Sequence, residues 1–212
     1  MNLAERRSER FTYADYLRWP DDERWELIDG EAWDMSPAPS LAHQAVSMRL
    51  SFLFHGYFRD RDCHVFASPV DVALAPPEAA AEEIDTVVQP DLVVVCDEAK
   101  LRGSHVRGAP DLVVEIVSPS TAAKDEGVKR DRYARAGVPE YWIVYPEARV
   151  VHRYRLEAGG YGAPDVVGLE DGRLASSRFP ELEVDLTELF DAEPEPRRQP
   201  GEGRRPPAGP PG

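Results

Sequence analysis

Apolar and polar residues alternate along most of this chain with two different periods. From Leu41 to Phe58, Leu41, Ala45, Met48 and Phe52 form one stripe at three-to-four spacing. Val46, Leu50, Leu53 and Tyr57 form a second. The two stripes together predict a well-buried amphipathic helix, opened by Ser40 after Pro39. Phe11 to Trp19 reads as a short helix, with Thr12 as its N-cap and Pro20 as its stop. "RWELIDGEAWDM" sets Asp29-Gly30 between two alternating runs, a two-residue hairpin signal. His64 to Ala75 alternates as a strand, and Pro69 within it argues for an edge or a bulge. Residues 76–86 read as a polar loop. Asp91–Cys96 and Leu112–Val117 are both strands, joined by a polar loop holding Gly103 and Gly108. "KDEGVKRDRYARAG" is a helix closed by Gly137. "EYWIVY" and "RVVHRYRL" are strands, and residues 161–168 and 181–190 read as further short strands or a terminal turn.

After the hairpin the order is helix, strand, strand, strand, helix, strand, which predicts a mixed α/β fold around one sheet. Residues 1–10 read as a flexible N-terminus and 11–192 as one domain. From about 193 the chain is a Pro/Gly/Arg tail without aliphatic or aromatic anchors, expected to be disordered.

Composition narrows the function classes. The hydrophobic fraction of 42% is that of a globular protein, and no apolar run approaches the ~20 residues that span a bilayer. The charged N-terminus is not a secretory signal. Cys63 and Cys96 show no C-x-x-C spacing, so no disulfide framework is expected and a cytoplasmic location is the default. The net charge is −14, from 39 acids and 25 bases, which disfavours non-specific adhesion to nucleic acid. Charge is unevenly placed, however. Residues 121–155 are net basic and carry Tyr133, Tyr141, Tyr145 and Tyr154, a weak pointer to backbone contact. Only three of the bases are lysines: Lys100, Lys124 and Lys129.

The candidate chemistry lies in two near-identical pieces, "PDLVVV" from Pro90 and "PDLVVE" from Pro110. If the two strands pair antiparallel around a loop centred near Gly103, opposed residues have index sums near 206. Asp91 then faces Glu115, while Asp111 lies at the far end. Either acid alone reads as a turn or strand-end residue. As a facing pair in an apolar sheet they repel, and a hard cation such as Mg²⁺ or Mn²⁺ would compensate. Asp125, Lys129 and Tyr133 share one helix face at i, i+4, i+8, so Lys129 can point back at the pair. The plain alternative is a surface ion pair beside an aromatic. His43 shares a face with Val46 and Leu50; a buried, hydrogen-bonded histidine is the first reading and a role in the site the second.

A "PD" on one strand, an acid on the next and a nearby lysine resemble the PD-(D/E)XK nuclease superfamily. "YADYLRWPDDERWELIDGEAWDMSPAPSLAHQ", "VVQPDLVVV" and "GAPDLVVEIVSPSTAAKDEGVKRDRYARAGVPEYWIV" resemble, more closely, the Uma-type family of restriction endonucleases. The likeness runs from about Phe11 to Phe190. It implies a restriction-endonuclease-like mixed sheet and divalent-metal-dependent hydrolysis of phosphodiester bonds, in DNA before RNA. It makes Asp91 and Glu115 the metal-binding catalytic acids. The superfamily lysine would fall at position 117, where this chain has Val117; the resemblance points instead to Lys129 on the following helix, with Lys124 as rival. Glu31 and Glu26 flank the hairpin turn; Glu31 is the first choice for an extra metal ligand or water-positioning acid, and Glu26 the second. Nucleic acid is the expected partner, and a homodimer would let so small a domain touch more base pairs. A nuclease fold kept as a non-catalytic binding or assembly module is the competing reading.

Overall fold

The computed structural model of the chain describes residues 10–20, 22–35, 39–118 and 121–190. The expected flexible N-terminus, except for Arg10, and the expected disordered tail lie outside the described residues.

The chain begins with α1 (Tyr13–Tyr16), whose Asp15 carboxylate accepts from the Thr12 backbone N–H and hydroxyl. The hairpin β1 (Trp25–Ile28) and β2 (Glu31–Asp34) follows. Its turn needs two left-handed residues, and Asp29 (φ 55°) and Gly30 (φ 75°) supply them. Helix α2 (Leu41–Phe58) is capped by the Ser40 hydroxyl, which accepts from the His43 backbone N–H at 3.2 Å.

The run read as one strand over 64–75 is two: β3 (His64–Ala67) and β4 (Asp71–Ala73), which break at Ser68–Pro69 and enter different sheets. The loop over 76–86 leads into β5 (Val87–Val88), and β6 (Leu92–Val95) follows. The connection around Gly103 carries a small hairpin of its own, β7 (Leu101–Arg102) and β8 (His105–Arg107), before β9 (Leu112–Ile116). A π-helical turn, Lys124–Lys129, runs into α3 (Arg130–Ala136), which ends on Gly137 in the left-handed conformation. The rest comprises β10 (Glu140–Tyr145), β11 (Val150–Glu157), β12 (Gly160–Tyr161), β13 (Asp165–Gly168), β14 (Arg173–Ala175), β15 (Glu183–Asp185) and α4 (Leu186–Phe190).

The main sheet runs β12-β11-β10-β9-β6-β3, with β13 also on β11. It is mixed: β9 and β10 are parallel, as the α3 crossover between them requires, and the other pairings are antiparallel. A second sheet, β2-β1-β5-β4-β8-β7, collects the hairpin and the short strands.

The central strands are apolar on both faces, so they read as near-continuous hydrophobic runs. Leu92, Val94, Leu112, Val114, Ile116, Trp142 and Val144 point to the side covered by α2, β14–β15 and α4. Val93, Val95, Val113, Val117, Tyr141 and Ile143 point to the side covered by α3 and the second sheet.

Two further expectations need correction. Only one stripe of α2 is buried: Val46 and Leu50 pack on the sheet, with His43, Phe54 and Phe58, and Leu53 and Tyr57 lie partly buried against them. Leu41, Met48 and Phe52 of the other stripe face outward, because the helix covers only one side of one sheet. Cys63 and Cys96 form a disulfide, with Cα atoms 4.0 Å apart. The reason is register: His64 pairs with Val95, so continuing that antiparallel pairing by one residue sets Cys63 opposite Cys96. No helix among the described residues is long and apolar enough to cross a membrane.

Candidate active site

The expected register is the one observed: Leu92, Val93 and Val94 pair with Val114, Val113 and Leu112, an index sum of 206. One step further, Asp91 faces Glu115 at the end of β6. Asp111 lies at the opposite end, where its carboxylate accepts from the Cys96 backbone N–H and from Arg178. Glu115 alternates with Val113 and Val117, so its side chain enters the layer between the main sheet, α3 and the second sheet. It is 4% exposed.

The turn after β9 brings the lysines in. The Thr121 hydroxyl accepts from the Ser118 backbone N–H, and the Thr121 carbonyl accepts from Lys124 and Asp125. In an α-helix two residues five apart diverge by about 140° around the axis. The i→i+5 closure of a π-turn stacks them instead. Lys124 and Lys129, at the two ends of this π-turn, therefore reach the same acid.

That acid is Glu26, on β1 and fully buried. Its Oε2 takes Lys124 Nζ at 2.7 Å, and its Oε1 takes Lys129 Nζ at 2.8 Å and the Gln89 backbone N–H at 2.8 Å. Lys129 Nζ also meets Glu115 Oε1 at 2.5 Å, with Asp125 Oδ1 at 3.6 Å. The Tyr133 hydroxyl donates to the same Glu115 Oε1 at 2.7 Å. Both contacts fall on Oε1, so Oε2 takes neither. Tyr141 donates its hydroxyl to the Asp125 carbonyl at 3.1 Å, and its ring lies tilted against that of Tyr133.

Asp91 is less enclosed, its side chain 18% exposed. Its Oδ2 accepts from the Ile116 backbone N–H at 2.7 Å, which ties it to the residue after Glu115. His43, from the first turn of α2, approaches both carboxylate oxygens with Nε2 at 3.2 Å. His43 Nδ1 is buried and has no hydrogen-bond partner.

The charge balance is uneven: Glu26, Glu115 and Asp125 share Lys124 and Lys129, and Asp91 lies beside them on His43. Burial pushes Glu26 up, but Lys129 and Lys124 together outweigh it and bring the carboxyl from 4.5 down to about 2. Burial raises Glu115 well above the usual carboxylate range; Lys129 pulls it down, while Asp125, Asp91 and Glu26 add to the rise. Burial likewise raises Asp125, with Glu26 adding to it. Lys129 stays protonated: burial opposes its charge, but Glu115, Glu26 and Asp125 hold its proton far more strongly. Tyr133 and Tyr141 are pushed up by burial and then by Glu115.

Of the residues singled out in the sequence, Asp91, Glu115, Lys129, Glu26, Asp125, Tyr133 and His43 converge. Lys124 joins them, as the π-turn allows. Glu31 does not: it sits exposed on β2, the edge strand of the second sheet, opposite Ile28. Val117 is buried core. Trp142 is core too, its indole N–H donating to Glu140. The basic flank is partly neutralised within itself, because Arg130 pairs with Asp131, Arg132 with Asp29, and Arg153 and Arg155 with Asp165. Among the described residues no group of three or more His, Cys, Asp or Glu side chains is placed to enclose a metal ion. Mg²⁺ needs no such cage: it is commonly held by one or two carboxylates, with water and substrate phosphate filling the rest. Asp91 and Glu115 are the two acids here that could supply those carboxylates.

A family model described as "Putative restriction endonuclease", Uma2, matches residues 13–187. "Uncharacterized protein slr1290" of Synechocystis sp. is 32% identical over 122 residues, covering 57% of this chain. The match spans 60% of that relative's length. The crystal structure of a "putative nuclease belonging to DUF820" from Anabaena variabilis superposes with a TM-score of 0.68 at 19% identity, over 85% of this chain and 98% of that one.

Proposed function

The chain belongs to the Uma2 family and has a nuclease-like fold, and from that premise we propose that it is a divalent-metal-dependent endonuclease that hydrolyses phosphodiester bonds in DNA. The observation that carries the reading is the surplus of carboxylate in a dry cluster. Glu26, Glu115 and Asp125 share two lysines with Asp91 beside them, and burial and mutual repulsion oppose a full set of negative charges there, an opposition that a doubly charged cation would relieve. Asp91 and Glu115 would hold that ion, Glu115 through the oxygen that neither Lys129 nor Tyr133 occupies. When bound, it would supply Lewis-acid stabilisation of charge building on the phosphate oxygens.

The chain's own residues do the rest. His43 and the Ile116 backbone N–H fix the Asp91 carboxylate. Tyr133 and Lys129 fix Glu115. Lys129 has three N–H donors, two directed at Glu26 and Glu115. The third, whose nearest acid is Asp125 at 3.6 Å, is available to orient a water against phosphorus and to offset negative charge there. Glu26 anchors both lysines from the second sheet.

One observation favours the non-catalytic reading. Lys129 is only 2% exposed and already closed on two carboxylates, as a purely structural core would have it. Supercoiled plasmid incubated with the protein separates the two. The enzyme reading expects nicking that requires Mg²⁺ or Mn²⁺ and falls to background in Glu115→Gln and Asp91→Asn. Cleavage unchanged in Glu115→Gln, or undiminished by chelator, would overturn it.

A further inference from the structure

The outward face of α2 is unlike the rest of the surface. Five large hydrophobic side chains are exposed among the described residues, and three lie on this face: Leu41 at 79%, Met48 at 71% and Phe52 at 76%. In a chain with 30% charged residues, this 18-residue helix has one Asp, Glu, Lys or Arg, namely Arg49. Arg49 turns away from the stripe to donate to the Leu189 carbonyl of α4 at 2.6 Å.

Charge and spacing select the partner. A helix without free cations has no means of gripping nucleic acid, nor the Lys/Arg face with which amphipathic helices bind anionic membranes. The positions Leu41, Ala45, Met48 and Phe52 are spaced four, three, four, the seam spacing of two packed helices. That spacing is also symmetric about its own centre. An antiparallel copy of the helix sets Leu41 against Phe52 and lets Met48 enter the gap over Ala45. This is the self-complementarity that a twofold contact requires. Two chains of net charge −14 repel, and an uncharged face is where they can meet.

We infer that α2 is the core of a homodimer interface, its outer stripe packed antiparallel on the same stripe of a second copy. The helix, about 27 Å long and ~10 Å wide, covers roughly 300 Å². A standard interface takes ~800 Å² per partner. A contact of that size lies at the weak end of specific interfaces, so the dimer is reversible.

Sedimentation equilibrium of the full chain from 1 to 100 μM tests this. The wild type is expected to move from monomer to twice that mass, and Phe52→Glu and Met48→Lys to stay monomeric at 100 μM with an unchanged circular dichroism spectrum. The antiparallel register is tested by oxidative cross-linking. The doubly substituted Leu41→Cys/Phe52→Cys is expected to form covalent dimer and Leu41→Cys alone is not. A wild type that stays monomeric at 100 μM, whether or not it floats with lipid vesicles, would overturn the inference. So would a dimer that survives both charge substitutions, or cross-linking as efficient in Leu41→Cys alone.

Discussion

Replacing Glu26 by glutamine tests the electrostatics of the cluster with the smallest change of shape. The carboxyl falls from 4.5 to about 2 in the folded protein, because two ammonium groups outweigh its burial. Each tenfold change in proton affinity is worth ~1.4 kcal/mol, so the charged Glu26 contributes about 3 kcal/mol at neutral pH. Relief of its repulsion with Glu115 offsets part of the loss, which makes 3 an upper figure. The sign follows from the depressed folded value: the contribution is complete above 4.5 and disappears as pH falls through about 2. Glu26→Gln lacks it at every pH. Urea unfolding followed by tryptophan fluorescence should show the variant less stable by about 2–3 kcal/mol at pH 7, with the gap closing between pH 4.5 and 2. Thermal unfolding at pH 7 should fall by about 4–12 °C, at 2–4 °C per kcal/mol for a domain of this size. A variant within ~0.5 kcal/mol of wild type at pH 7, or a gap that widens in acid, would mean that the two lysines do not hold Glu26 ionised.

Tyr133→Phe removes the hydroxyl that donates to Glu115 Oε1 at 2.7 Å. Loss of this buried hydrogen bond should lower the unfolding free energy by about 0.5–1.5 kcal/mol, measured by urea denaturation. His43→Ala should raise the Mn²⁺ concentration that half-saturates the site by ~10–100-fold in a calorimetric titration, as removal of groups that orient metal ligands usually does. His43→Gln, which can present a donor to Asp91, should recover most of that affinity.

Much of this arrangement was legible in the residue pattern. The β6–β9 register was readable because both strands are apolar on both faces and begin with the same Pro-Asp. A single loop midpoint then set Asp91 against Glu115. The stripe of Asp125, Lys129 and Tyr133 also converged as its spacing implied, although its first half is a π-turn. That turn is why Lys124 arrived as well: no periodicity in "KDEGVK" separates a five-residue closure from a four-residue one. Glu26 and Glu31 were indistinguishable from the hairpin, since both flank one turn. They differ only in that β1 is interior to the second sheet and β2 is its edge. Strands of two or three residues, β5, β7 and β8, are too short to show alternation. Which stripe of α2 faced the sheet, and that Cys63 would meet Cys96, were set by tertiary packing that no local spacing encodes.

The proposed activity depends on Asp91 and Glu115 together holding a divalent cation. Crystals soaked in Mn²⁺ and measured near the manganese absorption edge test it most directly. An anomalous peak bounded by the two carboxylates is expected, with Glu115 Oε1 still held by Lys129 and Tyr133, and no such peak in Asp91→Asn. A map without a peak at that position, while Glu115 and Asp91 keep only the partners they have now, would contradict it.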